Sequence, residues 1–387
     1  MPDRQLILSS TFINFFKSEK TGGVLLIFCT LLSLAIANSS LGPAYQHIWQ
    51  IKLAGLSIEH WVNDGLMAVF FLFIGLELER ELYVGELSNF KSALLPVFAA
   101  IGGIALPALI HFGLNSGTPT QAGAGIPMAT DIAFALGVMA LLGSRVPASL
   151  KVLLTALAVM DDLGAIIVIA LFYTEHVSYV YLLGAFAVFA TLVVVNRLFR
   201  VMSLLPYLLG GTLMWLFMLK SGVHATIAGV MLAFAIPFSS IAEDEKSPSH
   251  SLENFLHKPV AFLILPVFAL ANTAVLIGPG WDDVLLTTNS LGIIGGLVAG
   301  KPLGITLASF LVVSLGLCRL PPDLGWRHIV GAGFLGGIGF TMSIFITNLA
   351  FSSQAEFINA SKIAILLASI CAGGLGFLWL RMAANEK

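Results

Sequence analysis

Charge is what this sequence has least of. Only 19 Lys and Arg and 21 Asp and Glu occur among 387 residues, so 10% of the chain is charged, against about 25% in an average soluble domain. The net charge of −2 removes any electrostatic case for nucleic acid. Cysteine is almost missing. Cys29, Cys318 and Cys371 lie in or beside apolar runs with no paired spacing, which excludes a disulfide or zinc framework and leaves inert packing roles. No Gly-x-x-x-x-Gly-Lys-Ser/Thr loop is present, so neither a bound nucleotide nor ATP-driven pumping is expected, and no cofactor is indicated. No short apolar region with a small-residue cleavage site precedes the first span, so no removable signal peptide is expected. Long polar stretches are missing as well, so residues 1–387 read as one integral membrane domain.

What is present is apolar. Hydrophobic residues make up 58% of the chain and glycine contributes 38 positions, a composition suited to helices packed on small residues in a bilayer. Apolar runs of about 20 residues mark spans at 22–38, 61–80, 93–113, 124–143, 152–173, 180–198, 204–219, 223–238, 256–276, 290–312, 328–350 and 361–380. The predicted fold is therefore all-α and polytopic, with about twelve transmembrane helices. With the N-terminus placed in the cytoplasm, 15 of the 19 Lys and Arg fall on that side, 3 fall on the other, and Lys301 lies in a span. That bias puts both termini inside. The segment before Lys20 carries Phe12, Phe15 and Phe16, and reads either as a short interfacial helix or as a frayed tail.

Two connections stand out. In 49–59, Ile51 and Leu53 alternate with Gln50 and Lys52, and Leu56 and Ile58 alternate with Ser57 and Glu59, on either side of Ala54-Gly55. Period-two alternation around a glycine turn predicts a small extramembrane β-hairpin. It is too short to stand alone, so it reads either as a dimer contact through its free edge or as a surface loop. The longest polar connection, 239–258, holds Glu243, Asp244, Glu245 and Lys246 and is placed in the cytoplasm.

Two spans carry helix-breaking residues. Gly123, Gly125 and Pro127 precede Thr130 and Asp131; Gly331, Gly333, Gly336, Gly337 and Gly339 precede Phe340 and Thr341. Glycine and proline weaken a helix interior by about 1 and 3 kcal/mol. Unwound backbone at membrane depth persists only where protein or a water-lined cavity satisfies it. The breaks lie seven spans apart, an odd offset, which predicts inverted repeats (spans 3–5 and 10–12) whose interrupted helices cross at mid-membrane. Asp131 is then placed to neutralise facing helix N-termini, and Lys301 either to neutralise C-terminal ends or to pair with an aspartate.

Asp131, Asp161 and Asp162 all sit in apolar runs. A charge at the bilayer centre costs at least about 3 kcal/mol, so such groups are functional candidates. Asp161 and Asp162 are neighbours, pointing about 100° apart on a helix. One of them faces a cavity, the other a neighbouring helix or Lys301. Hard cations such as Na⁺ and Li⁺ take carboxylate, carbonyl and hydroxyl oxygens. Poorly solvated carboxylates and lysines also exchange protons near neutral pH. Competition of H⁺ with Na⁺ for one site, under alternating access, is sufficient for exchange. Weaker candidates surround this set. Asp64 reads as a helix cap or as part of an entry path. Glu77, Glu79, Arg80 and Glu81, with Glu253 and His257 at the start of a later span, read as a cation funnel, a pH-responsive network or a solvated helix end. His224 is either a group titrating in the physiological range or a packing residue.

Five stretches resemble the bacterial NhaA sodium–proton antiporters: Ala-Thr-Asp-Ile-Ala-Phe-Ala-Leu-Gly (129–137), Asp-Asp-Leu-Gly-Ala-Ile (161–166), Lys-Ser-Gly-Val-His-Ala-Thr (220–226), Gly-Lys-Pro-Leu-Gly-Ile (300–305) and Gly-Ile-Gly-Phe-Thr-Met-Ser-Ile-Phe (337–345). Inverted-topology repeats are themselves a feature of NhaA, so the resemblance implies the same repeat arrangement. The resemblance spans nearly the whole chain. It implies electrogenic exchange of cytoplasmic Na⁺ or Li⁺ for incoming H⁺ across the inner membrane. Asp162 is then the primary cation ligand and Asp161 a second carboxylate that alternates with Lys301. Thr130 and Asp131 belong to the crossing of unwound chains. A homodimer joined by the hairpin and alkaline activation through Glu77, Glu81 and Glu253 are also implied. Two features depart from the family pattern, namely Asn254 where a histidine is expected and the acidic run 243–245. Both bear on the pH response and not on the exchange chemistry.

Other classes fit less well. A transporter of organic anions needs a free intramembrane cation, for which Lys301 is the only candidate. An intramembrane aspartyl protease needs Tyr-Asp and Gly-x-Gly-Asp motifs that are absent, and a Schiff-base pigment has fewer spans.

Overall fold

The computed structural model describes residues 10–174, 177–239, 247–278, 280–352 and 354–384. Helix dominates. In chain order the elements are α1 (Ser10–Ala37), α2 (Gly42–Gln50), β1 (Lys52–Leu53), β2 (Leu56–Ser57), α3 (Ile58–Tyr83) and α4 (Phe90–Asn115). A 3₁₀ segment, Gln121–Met128, leads into α5 (Ile132–Leu142), followed by α6 (Ala148–Phe172), α7 (Tyr179–Arg197), α8 (Leu205–Ser221) and α9 (Ile227–Ala235). The remainder comprises α10 (Pro248–Asn272), α11 (Trp281–Leu285), α12 (Thr288–Ser314), α13 (Trp326–Gly336), α14 (Phe340–Ala350) and α15 (Ala355–Ala384).

Among the described residues, eight helices are long and apolar enough to cross a membrane. The count reaches ten when each of two bent pairs is one span: α1 with α2, bent by 114°, and α13 with α14, bent by 47°. Two expected spans fall short. α8 has 17 residues, and α9 has only 9 where 223–238 was expected; at 1.5 Å per residue, nine residues cover under half of a roughly 30 Å hydrocarbon layer. The expected loop 239–258 is also shorter than the hydropathy suggests. Ser247 accepts the His250 N–H and Pro248 occupies the first turn, so α10 starts there. Its polar first turns hid it in an average over hydropathy. The acidic run 243–245 lies outside the described residues, as do residues 1–9. α1 is unbroken from Ser10, so among the described residues no separate interfacial helix precedes the first span.

The predicted hairpin is present in reduced form. β1 and β2 pair antiparallel, Lys52 with Ser57 and Leu53 with Leu56, while residues 49 and 50 still belong to α2. Ala54 and Gly55 have φ of 52° and 90°, the two positive values that a two-residue hairpin turn demands.

The chain divides into two compact units. The first comprises Met1–Leu31, Asn89–Ala165 and Val275–Lys387. Its core is a continuous cluster that includes Leu136 and Met139 of α5, Leu154 and Leu157 of α6, Ile305 of α12 and Ile329 and Leu335 of α13. α4 and α12 approach to backbone contact. A methyl group at Gly102 would overlap the Gly304 carbonyl oxygen, and one at Gly304 would overlap that of Gly102. Gly304→Val is therefore expected to cost about 1–3 kcal/mol through overpacking. Gly374→Ala, in α15 with open space around it, is expected to be neutral or to stabilise by up to about 1 kcal/mol. Thermal unfolding of the two purified variants checks the contrast.

The second unit comprises Leu32–Ser88 and Ile166–Ala274. Here α3 is the central element: Gly75 lies against Val230 and Ala233 of α9, and Gly229 against the Ala68 backbone. Its N-terminus is capped by Ser57, which accepts the His60 N–H. Asp64 does not act as a cap. Its carboxylate instead lies 2.9 Å from His60 Nε2, one turn back on the same helix.

Candidate functional site

The two glycine-marked breaks of the first unit meet. Between the 3₁₀ segment and α5 the chain is extended over Ala129–Asp131, and α13 ends at Gly336 three residues before α14 begins. Each break supplies what the other lacks. The Asp131 N–H donates to the Ile338 carbonyl (2.6 Å), and the Ser343 hydroxyl donates to the Ile126 carbonyl (2.7 Å). The Asp131 carboxylate caps two helices at once: Oδ1 accepts the Phe134 N–H in the first turn of α5, and Oδ2 accepts both the N–H and the hydroxyl of Thr341 in the first turn of α14. A carboxylate facing two helix N-termini is favourable on charge as well as on hydrogen bonding. Asp131→Ala is accordingly expected to destabilise the protein by about 2–4 kcal/mol, one cap plus one charge-assisted bond. Asp131→Asn, which keeps an acceptor oxygen, should cost less; thermal unfolding in detergent distinguishes the two.

Beside this crossing lies a buried ion pair. Lys301, at the second half of α12 after a π turn at Gly296–Gly300, donates from Nζ to Asp161 Oδ2 of α6, and both side chains are 0% exposed. The Thr130 hydroxyl oxygen is 2.6 Å from the same Asp161 oxygen and 2.8 Å from the Gly336 carbonyl. With one proton to give, it serves one of these acceptors at a time. Asp161 Oδ1 is buried and has no hydrogen-bond partner among the described residues. Asp162, the next residue, is also buried and interacts electrostatically with Lys301. Thr130, Asp161, Asp162 and Lys301 thus come together, with a hydroxyl, a carbonyl and carboxylate oxygens of the kind a hard cation takes. Asp131 faces two helix N-termini, and among the described residues no three His, Cys, Asp or Glu side chains converge as a metal cluster. The oxygen set is therefore one of carboxylate, hydroxyl and backbone carbonyl.

The acidic end of α3 forms a second cluster, within the second unit. Arg80 Nε lies 2.8 Å from Glu253 Oε1, and its Nη2 lies 3.7 Å from Glu77 and 3.5 Å from Glu81. His250 Nδ1 is 3.7 Å from the other Glu253 oxygen, and Ser249 donates to Glu79 at 3.1 Å. Glu77, Glu79 and Glu81 are buried, so this is an interior charge network and not a solvated helix end. His257 packs edge-on against Phe73. His224 stands apart. Its Nε2 is 2.9 Å from the Tyr173 carbonyl, which can only accept, so that nitrogen carries a proton; no hydrogen bond or ion pair among the described residues joins it to Arg80. Ser249 and His250 were not singled out from sequence, although Ser247-Pro248 is a helix-start signal that would have placed both in the first turn of α10. Of the cysteines, Cys29 and Cys318 are buried and Cys371 is exposed.

Interrupted helices crossing around buried ionisable groups, with eight to ten membrane-length spans among the described residues, define a secondary-transporter architecture. Residues 13–380 match the family described as Na+/H+ antiporter 1. The Na(+)/H(+) antiporter NhaA of Dechloromonas aromatica (strain RCB) is 77% identical over 380 residues, covering 98% of both chains. That of Cytophaga hutchinsonii is 58% identical over 379 residues, covering 98% of this chain and 97% of its own. Na(+)/H(+) antiporter NhaA 1 of Flavobacterium johnsoniae is 60% identical over 374 residues, covering 97% of each. The chain belongs to the Na+/H+ antiporter 1 family of multi-pass membrane transporters.

Proposed function

We propose that this antiporter binds its cation at the oxygens around Asp161 and Asp162. Na⁺ and H⁺ are exchanged by the chain as a member of its family; the proposal concerns where and how. The observation that carries it is the fully buried Lys301–Asp161 pair with Thr130 and Asp162 beside the helix crossing. Two carboxylates and one ammonium leave this centre with one net negative charge, which one alkali cation neutralises. Asp162 is the principal cation ligand. Asp161 holds Lys301 when the cation is absent and turns its oxygens toward the cation when it is present, with Thr130 following. The Thr130 hydroxyl supports such a switch, having a carbonyl and a carboxylate within reach for one proton. Protons taken up by the freed acidic or basic groups compete with the cation, which is the condition for antiport. Exchange is electrogenic when more protons than cations move in a cycle, and three ionisable groups in contact allow that.

The remaining assignments extend the same reading. The chain acts as one membrane domain over 1–387 in the bacterial inner membrane, with both termini cytoplasmic, about twelve crossings when α8 and α9 are counted, and inverted repeats around the two breaks at mid-membrane. It needs no cofactor, and the short β1–β2 hairpin joins two copies. The Arg80 network, with Glu77, Glu81 and Glu253, carries the response to pH. A transporter of organic anions is disfavoured because Lys301 is held by Asp161.

The test uses inside-acid proteoliposomes holding the purified protein and a pH-sensitive dye. External NaCl or LiCl is expected to alkalinise the lumen, and choline chloride is not. Failure of both Na⁺ and Li⁺ to do so at neutral and alkaline pH would sink this reading.

A further inference from the structure

The first unit contains a second polar site, away from Asp161 and Lys301, that the exchange mechanism does not use. It is a cavity of about 440 Å³ formed where the chain after α4, the chain around α11 and the start of α15 meet. That volume is within the range of small-molecule sites, which run from about 300 to 1,000 Å³. Trp281 and Phe357 give it apolar walls, Thr118, Thr120 and Asn289 line its polar side, and among the described residues Glu356 is the one ionisable side chain that lines it.

The polar side is held in place from behind. Asn289 and Thr120 are buried. Asn289 Nδ2 donates to the Ser361 hydroxyl (2.8 Å), and its Oδ1 lies 3.1 Å from His111 Nε2. Asn115 Nδ2 donates to the carbonyls of His111 and Thr288. The two carbonyls fix the orientation of the Asn115 amide, since a carbonyl only accepts. The wall is also short of protons. Thr118 donates to the Asn115 carbonyl (2.7 Å) and Thr120 to Asn115 Oδ1 (2.7 Å), yet the two hydroxyl oxygens also lie 2.9 Å from each other. Three contacts compete for two protons, so neither hydroxyl has a proton left to donate to a ligand. Thr287, also at the cavity, has its one proton directed at Val284 or Ser290.

Threonine hydroxyls whose protons are already engaged, a single carboxylate and two aromatic rings suit a ligand that donates hydrogen bonds, carries positive charge and has an apolar body. We propose that this cavity binds a small organic ammonium ion, with the ammonium toward Thr118, Thr120 and Glu356 and the apolar part against Trp281 and Phe357. The apolar walls distinguish this from a site for a bare alkali cation, which would be held by oxygens on all sides.

The experiment is equilibrium dialysis of radiolabelled 2-phenylethylammonium against the full chain in lipid nanodiscs at low ionic strength, with empty nanodiscs subtracting partition into lipid. The expected result is saturable binding to one site. Glu356 is exposed and its charge screened, so Glu356→Gln should weaken binding about threefold or more, and Trp281→Ala about tenfold. Unlabelled 2-phenylethanol should compete poorly. Retained Na⁺-driven exchange and unchanged melting in Glu356→Gln show that the variant is folded, because Glu356 is no part of the Asp161 centre. The proposal is overturned by absence of saturable binding, by equal affinity in wild type and both variants, by equal competition from the neutral alcohol, or by stoichiometric displacement with NaCl but not with choline chloride. None of these outcomes depends on how the antiporter binds its own cation.

Discussion

Asp162→Asn is expected to abolish Na⁺- and Li⁺-driven exchange while leaving the protein folded. The substitution keeps size and one acceptor oxygen but removes a unit charge from a buried position on α6. A charge about 4 Å from a cation contributes about 4 kcal/mol at an effective dielectric constant of about 20. Its loss weakens cation binding by on the order of 10³-fold. The neighbouring ion pair explains why Asp161 does not compensate. With Lys301 on one oxygen and Thr130 beside it, Asp161 is already neutralised, so the Asp162→Asn variant offers the cation no net negative charge. The readout is the apparent Na⁺ affinity of lumen alkalinisation in proteoliposomes, paired with thermal unfolding. Exchange with wild-type affinity would show that Asp162 is not the principal ligand and would move that role to another oxygen of the centre.

The second large effect is on stability. Lys301→Met is expected to destabilise the protein by about 3–5 kcal/mol, because it strands the Asp161 carboxylate in a fully buried place. Asp161→Asn alone should be costly for the converse reason. The double variant, Asp161→Asn with Lys301→Met, is expected to recover most of the loss, since replacing both members of a buried pair is often close to neutral. Three melting curves in one detergent decide the matter. Additive losses in the double variant would mean that the two side chains act on stability through separate surroundings and not through each other.

Several parts of this architecture could be read from one dimension. Transfer free energy sums over neighbouring residues, so the apolar runs marked most of the membrane-length helices. The turn Ala54-Gly55 marked the hairpin for an equally local reason, two consecutive positive φ values. The glycine and proline clusters marked both breaks, since their effect on a helix is exerted where they stand. Averaging over neighbours also explains the misses. The start of α10 at Pro248 was submerged in its polar first turns. The shortness of α9 was hidden because its flanks, 223–226 and 236–238, still carry Val223, Ala225, Ile236 and Phe238.

Partner choice was decided elsewhere. Sequence placed Asp131 next to a break, but only the fold brought to it Thr341, 210 positions away. On helix geometry alone either of two adjacent aspartates about 100° apart fitted Lys301; the family resemblance pointed to Asp161, and the packing of α6 and α12 pairs it with Lys301. Glu77 and Arg80 are neighbours on one helix face, and Glu253 was grouped with them from sequence; only the fold showed that Glu253, 173 positions on, pairs with Arg80 in a buried network and not at a solvated helix end. The sequence by itself determined which groups are charged, which segments are apolar and where helices break, because those depend on each residue and its near neighbours. Tertiary structure alone determined which charges meet, because that depends on which faces of distant helices come into contact.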